Sequence, residues 1–285
     1  MNPTSTTPDP DPGTGAPAPV VALRDAGLSY GTRQLWQHLD LDVGAGEFLA
    51  VLGPNGSGKT SLVKVLLGLT TLSAGTALVG GEPPHRGSST IGYIPQQKGF
   101  DKDLPIRGTD LVRLGLDGHR WGIGWPSRAR RRRVDAAIAA VGAAGFADAP
   151  IGQLSGGEQQ RLRIAQAVLG EPDLLLCDEP LLSLDLKHQR TVVDALEQQR
   201  RTRHVAVVFV THEINPILPV TDRVLYLVGQ RWAIGTPEEV LTSNTLSELY
   251  QTTVDVLRVQ GRIVIVGAPT AVHMGTAQDD TVLAG

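Results

Sequence analysis

The stretch Gly53-Pro54-Asn55-Gly56-Ser57-Gly58-Lys59-Thr60 decides the fold. It fits the pattern G-x-x-x-x-G-K-[ST] at every fixed position, and its setting suits the chemistry that pattern performs. Before it, residues 47–52 read as a buried strand; after it, residues 59–69 read as a helix. Glycines at these positions let backbone N–H groups turn inward around phosphate oxygens, and the helix N-terminus adds partial positive charge. Lys59 is then placed to reach the outer phosphates, the Thr60 hydroxyl to ligate Mg²⁺, and Ser61 continues the same turn.

Working outward, residues 20–43 read as two strand-like segments around Tyr30-Gly31, and strand-like pieces follow at residues 77–79 and 90–94. From Gln96 to about Ala149 the composition changes to a broken helical pattern. Residues 156–170 read as a helix, 174–177 as a buried strand, 187–200 as a helix and 205–210 as a second buried strand. Strands separated by helices imply a parallel sheet. Beyond Asp222 come short strand candidates, a helix start at Thr236-Pro237-Glu238, and alternating segments at residues 254–259 and 262–266.

Ser155 with Glu158 three residues on forms a capping box, and Gly156 and Gly157 between them bring backbone amides to an exposed helix start. That arrangement is a ready anion site. Such a box can also do no more than start a helix.

Composition narrows the setting. The chain has 285 residues, 41% of them hydrophobic, which is enough apolar material for a sizeable core. Its formal charge of −3 gives no global attraction to nucleic acid or anionic lipid, and the run Arg128 to Arg133 reads as a solvated helix face. The single cysteine, Cys177, lies in an apolar run and excludes an intrachain disulfide. No apolar run approaches the ~18–20 residues needed to cross a bilayer. Residues 1–19 lack both a basic start and an apolar centre and read as a disordered arm. His85, His119, His188 and His273 are scattered without a ligand cluster, so no transition-metal site is expected.

Seven ordered motifs from Tyr30 to His212 resemble those of the ABC ATPases. Besides the phosphate loop, Leu154-Ser155-Gly156-Gly157-Glu158-Gln159-Gln160-Arg161 resembles the ABC signature, with Glu158 where the family most often has glutamine. Residues 174–180, ending Asp178-Glu179-Pro180, look like the Walker B strand, and Ser183-Leu184-Asp185 looks like the D-loop, although Leu181-Leu182 before it is unusually apolar. Thr211-His212-Glu213 matches the switch histidine, Gln96 the Q-loop glutamine with Gln97 adjoining it, and Tyr30 the aromatic that stacks on adenine.

The resemblance implies an α/β P-loop NTPase of the ABC ATPase fold: a mostly parallel core sheet, an antiparallel N-terminal β subdomain and an inserted helical subdomain. The expected layout is the arm at 1–19, an ATPase domain at 20–251 with its helical part at about 100–165, and an accessory segment and tail at 252–285. It also implies that Asp178 holds Mg²⁺ with Thr60 and Gln96, that Glu179 is the general base, and that His212 contacts the γ-phosphate. Ser155, Gly156, Gly157 and Glu158 would act on ATP held by a second copy of the chain, and Asp185, in the D-loop, would link the two ATP sites across the dimer. Partners implied are a transmembrane permease, that second copy and an extracytoplasmic solute-binding protein, with no nucleic acid; the chain would sit on the cytoplasmic face of the cell membrane.

Residues 99–118, after the Q-loop, resemble ATPases of zinc and manganese importers, with importers of ferric siderophores, haem or cobalamin as the alternative. A soluble ABC-type ATPase acting on ribosomes or DNA is the reading from a different class. The single cassette and the lack of a long coiled-coil insertion speak against it.

Overall fold

The computed structural model describes residues 18–96, 99–117 and 127–267. Most of the expected arm and tail, Gln97, His119 and His273 lie outside them. In chain order the elements are β1 (Val21–Tyr30), β2 (Arg33–Val43), β3 (Phe48–Leu52), α1 (Lys59–Leu66), β4 (Ala74–Val79), β5 (Ile91–Ile94), α2 (Gly108–Asp117) and α3 (Arg128–Ala140). Then follow α4 (Gly156–Leu169), β6 (Leu174–Asp178), α5 (Leu186–Arg203), β7 (Ala206–Val210), β8 (Arg223–Val228), β9 (Arg231–Gly235), α6 (Pro237–Val240), α7 (Ser243–Tyr250), β10 (Asp255–Val259) and β11 (Arg262–Val266).

The central sheet has the order β5-β6-β7-β3-β8-β9, parallel throughout except for β9. Every residue of β3, β6 and β7 is buried, as expected of strands covered on both faces. Alternate residues serve two cores. Phe48, Leu175, Cys177 and Phe209 face the helices of one side, and Leu49, Leu174, Leu176 and Val208 face α1 and the antiparallel sheet β2-β1-β4 on the other. Phe48 and Phe209 stack at 5.6 Å between ring centroids across the β3–β7 pair. Burying each such side chain contributes about 1.5–3 kcal/mol.

In β2 the period of two is plain: Leu39, Leu41 and Val43 are buried while Asp40 and Asp42 are exposed. Helix α1 ends earlier than its sequence pattern suggests. Gly68 adopts φ +65°, Leu69 N–H donates to Lys64 O at 2.8 Å and Gly68 N–H to Val65 O at 2.9 Å. This C-terminal motif closes the helix on its last carbonyls.

Helices α2 and α3 pack on α4, and Glu171, just past α4, accepts from Arg133 of α3 at 2.7 Å and Arg203 of α5 at 2.8 Å. Val254, just before the hairpin β10–β11, and Ile263 within it are buried against the main core, and the hairpin is tied to that core by Asn215, which bonds both Ile263 N–H and Ile263 O.

Candidate functional site

Strand β3 delivers the chain to a loop that only glycine can build at its ends. At Gly53, φ +139°, an added Cβ would lie 2.0 Å from Leu227 O; at Gly58, φ +98°, it would lie 2.8 Å from the indole of Trp36. Between them Gly56 takes φ +80°, and Ser57 N–H donates to Pro54 O at 3.3 Å. The Ser57 hydroxyl is buried without a protein partner. Lys59 is 6% exposed, and its ammonium donates to Gly53 O at 2.7 Å and Pro54 O at 3.0 Å. Burial lowers its pKa, while Glu179 and Asp178 raise it. A cation, an orphaned hydroxyl and the start of α1 thus face one small cradle, the donor set that an anionic phosphate chain satisfies.

Thr60 donates to Asp178 Oδ1 at 3.2 Å, tying the loop to the end of β6. Asp178 is 2% exposed, and burial raises its carboxyl above the usual range; the Thr60 hydrogen bond lowers it again and the charge of Glu179 raises it. Glu179 takes a left-handed backbone, φ +48°, and its N–H donates to Val210 O at 2.9 Å. Its carboxylate lies 3.4 Å from His212 Nδ1, just past the end of β7; the histidine side chain is half exposed and the glutamate 14% exposed. Thr211 stiffens that turn by bonding Glu213 through both its backbone groups.

A groove of about 380 Å³ collects Tyr30, Asn55, Gly56, Gly58, Lys59, Thr60, Ser61, Gln96 and Glu179. Tyr30 stands half exposed at the end of β1, its hydroxyl held below the usual phenol range by hydrogen bonds to Thr70 and Ser61. Gln96 is exposed just past β5. Two further lining residues, Arg33 and Leu35, carry no motif. Arg33 pairs with Tyr30 across the β1–β2 turn and donates to Gly56 O at 3.1 Å, so only the hairpin register places it here.

Ser155, Gly156, Gly157, Glu158 and Asp185 do not reach that groove. They line a second one of about 610 Å³, with Arg161, Ser183, Leu184 and His188. Ser155 is the N-cap of α4: its N–H and hydroxyl donate to Glu158 at 2.8 and 2.7 Å, and Glu158 N–H returns to its Oγ at 3.4 Å. These bonds hold Glu158 below the usual carboxylate range. Asp185 is the N-cap of α5 and accepts from His188 N–H at 2.9 Å.

Two glutamines that the sequence reading passed over link the signature helix to the segment after β5. Gln159 accepts from Phe100 N–H at 3.2 Å, and Gln160 donates to Pro95 O at 3.3 Å. Both are buried.

The sequence profile described as ABC transporter matches residues 36–182, half of the chain. The chain belongs to the ABC transporter family.

Among ABC transporter proteins it is 35% identical over 223 residues to the zinc import ATP-binding protein ZnuC of Yersinia enterocolitica, covering 78% of this chain and 82% of the relative. It is 33% identical over 225 residues to ZnuC of Roseobacter denitrificans, covering 79% and 82%. Its fold is similar to an inward-facing ABC transporter assigned to the metal-chelate type, with TM-score 0.71, 27% identity and coverage of 87% of this chain and 96% of that one. It is also similar to a dimeric ATP-binding cassette in a post-hydrolysis state with ADP and Pi, with TM-score 0.64, 25% identity and coverage of 75% and 97%. The α/β ABC ATPase fold, with its six-stranded mostly parallel sheet and antiparallel N-terminal sheet, is the one the motifs imply. The chain is an ABC transporter ATPase, whose ATP hydrolysis is coupled to transport. ABC ATPases act with permease subunits and form dimers. Among the described residues no helix is long and apolar enough to cross a membrane.

Proposed function

We propose that this ATPase energises import of a divalent metal ion through a separate permease, and that Glu179 is its general base. The convergence of Lys59, Thr60, Gln96 and Glu179 on one groove, with Asp178 bonded to Thr60, supports the catalytic part. In the loop that Gly53 and Pro54 open, backbone N–H groups of Asn55, Gly56, Ser57 and Gly58 cradle the phosphates, Lys59 faces the outer ones, and Tyr30 stacks on adenine. Thr60, Asp178 and Gln96 offer the hard oxygen donors that suit Mg²⁺, and the Thr60–Asp178 contact brings two of these oxygens together. When bound, the ion neutralises charge on the β- and γ-phosphate oxygens.

Glu179 draws a proton from a water whose oxygen attacks the γ-phosphorus; the bond to the β–γ bridging oxygen breaks, leaving ADP and phosphate. His212, fixed beside Glu179, contacts the γ-phosphate. Because Ser155, Gly156, Gly157, Glu158 and Asp185 stand on a separate groove, they complete the site of a second copy.

Glu179→Gln keeps the shape and removes the base. Hydrolysis should fall by roughly 10²–10⁴-fold while ATP-bound dimers accumulate on a sizing column. Turnover at the parental rate overturns the assignment.

The cargo reading rests on the segment after Gln96 and on the zinc-import names of the relatives. The likeness to a transporter assigned to the metal-chelate type favours a second reading, a chelated metal such as a ferric siderophore, haem or cobalamin. Either would be delivered by an extracytoplasmic solute-binding protein to a permease that holds this chain on the cytoplasmic face of the membrane. Zinc, manganese and iron contents of a strain lacking the chain test the first reading, and no change in any of them defeats it.

A further inference from the structure

The start of β2 runs along the phosphate loop. Arg33 meets Gly56, and Leu35 and Trp36 meet Gly58: a Cβ on Gly56 would lie 3.1 Å from Arg33 Nη2, and one on Gly58 would lie 3.3 Å from Leu35 Cβ and 2.8 Å from the indole. Leu35 and Trp36 are buried and form an apolar wall. A wall needs no charge, and Arg33 carries one.

Arg33 is an exposed residue, yet it lines the 380 Å³ groove and its Nη2 donates to Gly56 O at 3.1 Å. That bond steadies the guanidinium and uses one of its five donors. Among the described residues no carboxylate pairs with it. Glu179, the acid lining the same groove, stands 3.4 Å from His212 instead. Lys59 and Arg33 against Glu179 give the lining a positive balance, as a site for an anion requires. The groove is also ordered. Tyr30 is the register partner of Arg33, Gly56 lies mid-loop, and Lys59 and Thr60 lie at the loop's far end beside Asp178. In a nucleotide, the group between the sugar and the outer phosphates is the α-phosphate.

We infer that Arg33 is a nucleotide-binding residue, its guanidinium paired with the α-phosphate while Gly56 O holds it in place. This rests on the assignment of the groove to ATP above, and it adds a residue that none of the motifs contains. A planar guanidinium offers parallel donors to two phosphate oxygens, which an ammonium cannot do. ATP and ADP share the α-phosphate, so Arg33 holds both alike, whereas Lys59 faces the part that hydrolysis removes. Arg33 therefore sets how firmly a nucleotide is held without favouring ATP over ADP.

The test uses the full chain carrying Glu179→Gln, so that ATP is not consumed, with Arg33 intact or replaced in Arg33→Gln and Arg33→Lys. Affinities for ATP and for ADP are read by competition against a fluorescent analogue at low protein concentration, in low and in high salt. Glutamine can still donate to Gly56 O but carries no charge. Arg33→Gln should weaken ATP and ADP alike by about tenfold, the worth of one charge-assisted hydrogen bond. Its remaining affinity should fall less with added salt than that of the parent. Arg33→Lys should fall between the two, and melting of the nucleotide-free chains should be the same in all three. Parental affinity in Arg33→Gln overturns the inference alone. So does a loss confined to ATP, which would put the guanidinium on the outermost phosphate. Weaker binding with an undiminished salt dependence would assign Arg33 to loop shape or to a neutral ribose oxygen, and overturns it too. A parent that binds neither nucleotide overturns the assignment of the groove to ATP and this inference with it.

Discussion

Gly58 and Trp36 offer a test of how the phosphate loop is held. Replacing Gly58 by alanine asks a Cβ to sit at φ +98°, where L-residues are disfavoured by about 1–2 kcal/mol. It also puts that Cβ 2.8 Å from Cδ1 and Nε1 of an indole that is 0% exposed and cannot swing into solvent. Overpacking of this kind costs about 1–3 kcal/mol, so Gly58→Ala should destabilise the fold by about 2–5 kcal/mol in all.

The two parts can be separated. Trp36→Leu removes the wall and leaves a cavity, costing about 3–5 kcal/mol, offset in part because the indole N–H it deletes is buried without a partner. In that background Gly58→Ala should cost only the backbone part. Urea unfolding of the four proteins closes the cycle and should return a coupling of about 1–3 kcal/mol. ATP affinity, lost in Gly58→Ala, should partly return in the double variant. Costs that add to within about 0.5 kcal/mol refute the view that Trp36 shapes the loop.

Asp178→Asn should raise stability at neutral pH while abolishing hydrolysis. The folded carboxyl is shifted upward, first by burial, so its native-state contribution is fully present below the unfolded pKa and is lost as pH rises through the folded value. Melting curves at acid and neutral pH should therefore show the variant's advantage only at the higher pH, and a variant less stable at neutral pH counts against burial as the cause. Glu197 has the opposite sign. Its carboxylate accepts from Arg200 Nε at 2.6 Å and Nη2 at 2.9 Å, which holds it below the usual range. Its contribution is present above the unfolded pKa and disappears as pH falls through the folded one. Glu197→Gln should cost about 1–3 kcal/mol near neutrality, with the gap to the parent closing in acid; a constant gap would show that charge is not the reason.

What the sequence revealed was local. The loop from Gly53 to Thr60, the cap at Ser155, the apolar strands ending at Asp178 and Val210, and the Thr236-Pro237 helix start each carry their signal within a few residues, and each stands where the pattern puts it. What it concealed depends on register and crossing. Arg33 reaches Gly56 only because β2 pairs with β1, and Trp36 meets Gly58 only because the antiparallel sheet packs over α1. Glu171 joins α3 to α5 across a gap of many residues. Helix α1 was read a few residues too long because its last leucines keep the apolar period while Gly68 turns the chain away. Helix α7, with its short apolar stripe, gave no signal strong enough to read.

The backbone bond from Glu179 to Val210 has a consequence for timing. Strands β6 and β7 are paired with Asp178 opposite Val210, and this bond carries the pairing one residue further. The acids and Thr211-His212 therefore leave the sheet from a single rigid edge. Neither can advance or retreat without the other, and neither can do so without breaking into a fully buried sheet. In the proposed reading the clock of the ATPase cycle is then set by arrivals: nucleotide at the loop, and the groove of another chain closing over it.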